Sequence, residues 1–156
     1  MQKITPFLWF KDQAEEAADF YVSVFPGSKV TGANRYAESG LGTPGTVMTI
    51  SFELAGQPFT ALNGGPVFEF TSAISFVIHC STAEEVDHYW SKLSEGGQEQ
   101  MCGWLVDRFG VTWQVVPTAL MEMLSDPDPI KVQRVTEVML QMQKLDLVNL
   151  QRAYEG

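Results

Sequence analysis

The chain has 156 residues, 45% hydrophobic, 19% charged and 12% aromatic, without a low-complexity tract, which suits one ordinary domain with its own core and excludes a disordered segment. Ten basic against nineteen acidic residues give a formal charge of −9, a field that repels phosphate backbones and anionic bilayers, so no nucleic acid and no membrane is expected as a partner. The apolar stretches are too short to span a bilayer, the amino-terminal residues lack a secretion signal, and Cys80 and Cys102 are too few for a disulfide scaffold or zinc motif; a cytoplasmic protein with free thiols is expected.

Ile4 to Phe10 is rich in β-formers. Asp12 then supplies an N-cap and Glu15 a capping-box partner for an amphipathic helix through Val24, stopped by Pro26 and Gly27. Lys29 to Tyr36 is extended in pattern. Ser39 to Gly45, with three glycines and a proline, reads as a turn or mobile lid; it lacks the lysine and following helix of a phosphate cradle. Two more strands, Thr46 to Leu54 and Pro58 to Asn63, meet at a tight turn around Gly56. Gly64, Gly65 and Pro66 end a first half at residues 1–66.

The second half, 67–117, repeats the order. Ala73 to Cys80 is a strand, Ser81 and Thr82 offer caps, and a helix runs to Leu93 with Glu84 and Glu85 in its first turn. A shift of 69 places Glu15 and Glu16 on Glu84 and Glu85, Phe20 and Tyr21 on Tyr89 and Trp90, Val24 on Leu93 and Gly27 on Gly96. A short extended piece follows Gly97, then a strand with its entry turn from Cys102 to Val106, a turn at Arg108 to Gly110, and a last strand, Val111 to Val116. Residues 118–156 are helical in pattern, broken near Asp126 to Pro129 and continuous from about Ile130 to Tyr154. Val135, Val138, Met139, Met142, Leu145 and Leu150 form one apolar stripe, which covers either its own domain or a partner subunit; a homodimer is expected.

The motifs Ala73-Ile-Ser-Phe, Glu84-Glu-Val-Asp-His-Tyr-Trp, Cys102-Gly-Trp-Leu-Val-Asp and Trp113-Gln-Val-Val-Pro resemble the PhnB-like group of the vicinal oxygen chelate superfamily. That superfamily includes glyoxalase I, bleomycin-resistance proteins and extradiol dioxygenases, and the group often carries the label 3-demethylubiquinone-9 3-methyltransferase. The resemblance implies an α+β fold in a single domain, with two βαβββ half-repeats forming a curved mixed sheet around a cleft and a C-terminal helical extension. In metal-dependent members four inward side chains hold a divalent ion. Here those positions fall on Thr5, on Thr60 four residues after Gly56, on Gln114 four residues after Gly110, and on Ile74 or Ser75, since the 69-residue shift selects Ile74 and apolar alternation selects Ser75. None offers the charge or donor strength that zinc, iron or nickel needs, so no metal is expected.

Leu8 and Phe10 suit the face under the helix, which turns Phe7 and Trp9 to the cleft; Trp113 has core parity. The expected ligand contacts are Phe7, Trp9, Asn63, Ser75, Trp104 and Gln114. His79 and Cys102 are candidate catalytic groups, each weighed against a structural histidine and a small buried hydrophobe; His88 reads as a surface residue. The leading expectation is metal-independent, cofactor-free binding of an aromatic or amphipathic small molecule. One alternative is an enzyme acting on a quinone-like substrate, implied by the group's label, although no glycine-rich turn between strand and helix offers a cradle for S-adenosylmethionine. The other is an interaction protein using the C-terminal helix.

Overall fold

Apolar residues at every second position build the first sheet. The computed structural model describes residues 2–156. Up to Phe70 these form one unit, in which β1 (Phe7–Phe10), α1 (Ala14–Val24), β2 (Lys29–Arg35), β3 (Val47–Leu54) and β4 (Gln57–Asn63) follow in order. The sheet order is β1-β4-β3-β2, with β1 parallel to β4 and the other pairs antiparallel. Leu8, Phe10, Ile50, Phe52, Leu54, Phe59 and Ala61 are buried on the α1 side. Phe52 stacks on Phe59 at 5.5 Å between ring centroids, and Tyr21 of α1 lies 6.3 Å from Phe52. Ala55 and Gly56 both take positive φ in the two-residue β3–β4 turn, the geometry that matches strand twist.

The start of α1 differs from the capping box anticipated at Asp12. The helix begins at Ala14, and its N-cap Gln13 makes no side-chain cap bond. Asn63, at the end of β4, accepts the Ala14 N–H on Oδ1 at 2.8 Å and donates Nδ2 to the Val47 carbonyl at 3.1 Å. A tertiary amide thus replaces the local cap, a substitution that sequence spacing does not reveal. The glycine-rich loop after β2 is closed by the Tyr36 N–H on Thr46 O and the Gly45 N–H on Tyr36 O, both at 2.9 Å. It folds against the Tyr36 ring so tightly that a Cβ on Gly42 would lie 2.3 Å from it. The Tyr36 hydroxyl donates to the Asn63 carbonyl.

The second unit, from Thr71 to Gly156, repeats the arrangement: β5 (Phe76–Cys80), α2 (Ala83–Ser94), β6 (Gln98–Glu99), β7 (Trp104–Val106) and β8 (Thr112–Pro117), then α3 (Thr118–Leu124), α4 (Pro129–Met139) and α5 (Leu147–Glu155). Its sheet order is β5-β8-β7-β6, with β5 parallel to β8. Ile78, Cys80, Leu105, Trp113 and Val115 meet Val86, Trp90 and Leu93 of α2 in the core. Asp107, only 3% exposed, ties the β7–β8 turn. Its Oδ1 accepts the N–H groups of Phe109 and Val111 at 2.9 and 3.0 Å, and its Oδ2 accepts the Trp113 indole N–H at 2.9 Å.

The repeat resolves into two offsets. The helices start 69 residues apart, at Ala14 and Ala83, but the parallel pairs Phe7–Thr60 and Val77–Gln114, with Leu8 and Phe10 answering to Ile78 and Cys80, set the first strands 70 apart. The second strand-to-helix connection is one residue shorter, and there Thr82 caps its own helix, accepting the Glu85 N–H at 3.2 Å. At the strand offset Thr5 answers to Ser75 and not to Ile74. Ile74 lies outside the strand, 74% exposed.

The tail is not one continuous helix from Ile130. α4 ends at Met139 and α5 starts at Leu147, capped by Asp146, which accepts the Asn149 N–H at 3.2 Å. The carbonyls of Met142 and Gln143, in the break, accept the N–H groups of Cys102 and Gly103 at 2.8 Å each. The stripe covers its own unit: Val135, Leu145 and Leu150 pack with Val116, Leu120 and Met123. Burial of each such side chain contributes about 1.5–3 kcal/mol. Arg134 joins the two helices, donating to the carbonyls of Ala153 and Tyr154 at 2.8 and 3.0 Å at the α5 C-terminus, where positive charge complements the negative end of the helix dipole.

Candidate functional site

Each sheet has one face under its helix and one face free of it; strand parity puts Asn63, expected as a ligand contact, on the α1 side with Phe59 and Ala61, and assigns Phe7, Trp9, Ser75, His79, Trp104 and Gln114 to the free faces. In the first unit Phe7 and Trp9 share that face with Thr60 and Leu62, since Leu8, Phe10, Phe59 and Ala61 are buried on the other. Phe7 is 57% exposed. Trp9 is half-buried and fixed: its indole N–H donates to the Gly65 carbonyl at 2.9 Å, and its ring meets Phe68 edge-on at 4.9 Å. A Cβ on Gly64 would lie 2.4 Å from the indole, so the absence of a side chain there makes room for it. Asn63 is engaged with α1 and β3 through both ends of its amide, as described above.

On the same face, beside Thr5 and Thr60, lies a groove of about 680 Å³ lined also by Gln2, Thr31, Ser51 and Glu53. Sequence reading placed Thr5 and Thr60 but not the rest. Ser51 and Glu53 alternate with Ile50, Phe52 and Leu54 and were legible as one face of β3. Thr31 gave no signal, because a bulge between Val30 and Gly32 decides its direction.

In the second unit Val77 and Trp104 flank Gln114 in the strand register, so the three side chains form a row on the free face. Gln114 Nε2 donates to Ser75 Oγ at 2.9 Å. His79 is exposed on that face and pairs in register with Val116, which the tail covers. Cys102 is half-buried in the turn before β7 with φ +60°, and its Sγ lies 3.7 Å from the Met139 carbonyl. Cys80 is fully buried, and desolvation, reinforced by Glu85, pushes its thiol up to about 11, which holds it protonated and unreactive. His88 is partly exposed and its ring meets Tyr89 at 5.0 Å.

The four positions that would bear metal ligands thus present three hydroxyls and one carboxamide: Thr5, Thr60, Ser75 and Gln114. Neutral oxygen donors of this kind lack the charge and donor strength that zinc, iron or nickel needs. Among the described residues no group of three or more His, Cys, Asp and Glu side chains is placed to hold one. Nor is any described helix long and apolar enough to cross a membrane.

Two four-stranded mixed sheets, each with a helix on one face, and a helical C-terminal piece define the glyoxalase-like fold of the vicinal oxygen chelate superfamily. A family profile described as 3-demethylubiquinone-9 3-methyltransferase matches residues 2–116, and the chain belongs to that family. The PhnB protein of Bacillus cereus, also described as a 3-demethylubiquinone-9 3-methyltransferase, is 40% identical with a TM-score of 0.69; the match covers 75% of this chain and 100% of that one. Protein PA1353 of Pseudomonas aeruginosa (21% identity, TM-score 0.63, 75% and 98% covered) shares the fold. So does the fosfomycin resistance protein FosX of Mesorhizobium loti (12%, 0.57, 81% and 100%). No curated protein matches the chain.

Proposed function

We propose that this chain is a metal-independent small-molecule-binding protein whose ligand is aromatic or amphipathic. The observation that carries the reading is the composition of the free sheet faces: accessible rings, Phe7 and Trp9 in one unit and Trp104 in the other, beside neutral hydrogen-bonding groups where metal ligands would stand. Aromatic walls with a few oriented polar groups suit ligand capture better than Lewis-acid chemistry. In this reading Phe7 and Trp9 are the contact residues of the first unit's free face and Ser75, Trp104 and Gln114 those of the second unit's, and Asn63 holds the β4 end in place. Two free thiols suit a reducing compartment such as the cytoplasm. Exposed Val67 and Phe68, 72% and 62% accessible, support a homodimer, which sedimentation across a concentration series tests.

Thermal unfolding of the full chain with menadione, a soluble quinone, tests the ligand class. Saturable stabilisation is expected, about 2.7 kcal/mol at a hundredfold excess over Kd. Trp104→Ala and Gln114→Leu should each weaken it. The family description favours a second reading, methyl transfer to a quinone-like substrate with His79 or Cys102 in proton or group transfer. Saturable stabilisation by S-adenosylmethionine, absent with menadione alone, would decide for that reading.

A further inference from the structure

We propose that the groove of the first unit receives the polar end of the ligand as a neutral, hydroxyl-bearing group and turns away phosphate and carboxylate. This rests on the small-molecule reading above and narrows it. The β3–β4 register sets Ser51 opposite Thr60, and the β1–β4 register sets exposed Phe7 beside Thr60, so an apolar ring adjoins a row of hydroxyls. On the outer strand Val30 pairs with Phe52 and Gly32 with Ser51, leaving Thr31 as the extra residue of a bulge, and the groove lining includes it. Bulges re-aim side chains and concentrate at functional sites.

The hydroxyls of Thr5, Thr31, Ser51 and Thr60 make no hydrogen bond with any described protein group, whereas neighbouring Thr49 accepts one from Asn34 at 3.3 Å. A hydroxyl both donates and accepts, so it pairs with an alcohol in either sense; an anion only accepts and uses half of that capacity. Among the described residues the single fixed charge lining the groove is Glu53, which repels anions and accepts from alcohols. Lys29, the cation beside it, is 68% exposed with Nζ 4.0 Å from the Glu53 carboxylate, outside the lining. The net charge of −9 adds to the repulsion.

Nuclear magnetic resonance titration of the full ¹⁵N-labelled chain tests this with two probes sharing one aromatic end: 4-nitrophenyl β-glucoside and 4-nitrophenyl phosphate. The glucoside should shift the Thr31, Ser51 and Thr60 amides saturably, about tenfold more tightly than the phosphate. Thr60→Val should weaken the glucoside about threefold to tenfold, and Glu53→Gln should narrow the gap by tightening the phosphate. Equal or tighter phosphate binding overturns the proposal, as does a groove that shifts with protein dilution and not with glucoside, which would mark an interface between copies. Glucoside or menadione shifts confined to Ser75, Trp104 and Gln114 overturn it too, while leaving small-molecule binding itself intact.

Discussion

Replacing Asp107 tests the claim that one buried carboxylate fixes the second unit's candidate face. Asp107→Ala strands three donors, the N–H groups of Phe109 and Val111 and the indole of Trp113, all within residues 9% exposed or less. A hydrogen bond to a charged acceptor contributes about 1.5–3 kcal/mol, and water entering the vacated space recovers part of the loss, so about 3–5 kcal/mol is expected. Asp107→Asn keeps an oxygen for the two backbone donors but turns an NH₂ toward the indole N–H, losing one bond, about 1.5–3 kcal/mol. In the Asn background Trp113→Phe should then cost less than it does in the parent, the signature of a shared contact. Urea unfolding followed by far-ultraviolet circular dichroism measures each step. Alanine within about 1 kcal/mol of the parent, or asparagine as damaging as alanine, would refute the assignment. Because the 107–111 turn sets the Trp104–Gln114 register, menadione binding should weaken in the same order.

Gly103→Ala should destabilise the chain by about 1–2 kcal/mol, since Gly103 has φ +82° and an added Cβ meets Leu145 and the Val115 carbonyl at 2.8 Å; faster proteolysis within 140–146 would mark tail release. Iodoacetamide at pH 8 should label half-buried Cys102 and spare Cys80, whose thiol sits near 11; mass spectrometry showing Cys80 labelled first in the folded chain contradicts the burial argument. The Tyr154 hydroxyl donates to Asp126 at 2.5 Å, which with the Asp128 N–H holds the Asp126 carboxyl below its usual 3.8 and raises the phenol above 10.0. The carboxylate's share of stability is present above pH 3.8 and lost as pH falls through the lowered value, and the phenol's share is present below 10 and lost as pH rises through the raised one. The stability gap between parent and Tyr154→Phe should therefore be flat from about pH 5 to 9 and shrink at both extremes; a gap that changes near neutrality refutes the pairing.

What the sequence disclosed was set by periodicity. Leu8 and Phe10, Ile50 and Phe52, and Leu105 and Trp113 alternate with polar or accessible partners, so strand faces could be assigned before any coordinates. Long-range polar contacts left no such trace. Nothing near Asp12 indicates that Asn63, 49 residues beyond Ala14, caps α1 where Thr82 caps α2 locally, and the two strand-to-helix connections differ by one residue, which set Ser75 against Ile74 in the sequence. The break in the tail was hidden for a related reason: residues 140–146 contain neither glycine nor proline, and the helix stops because Asp146 caps a new one and the intervening carbonyls serve Cys102 and Gly103. The groove was half legible, since the polar face of β3 follows from alternation while the bulge that places Thr31 does not.

The tail also decides how an interaction role should be tested. The family profile ends at residue 116, so α3 to α5 lie outside it, and the match to the Bacillus cereus relative leaves a quarter of this chain uncovered. Val116 pairs in register with exposed His79, yet it is 7% accessible because the tail cluster covers it. Deleting residues 130–156 would remove Val135, Leu145 and Leu150, about 5–9 kcal/mol of burial and comparable to the whole stability of a domain. It would also bare Val116, Leu120 and Met123. Loss of a partner after that deletion would report unfolding or aggregation as readily as a lost interface. Leu140→Glu and Val148→Glu, at positions 54% and 57% exposed, leave the cluster whole and should change stability by no more than about 0.5 kcal/mol. If these substitutions abolish self-association while the melting temperature and menadione binding hold, the tail's outer surface is the interface; a deletion that still melts sharply at the parent temperature would show that the tail cluster does not support the fold.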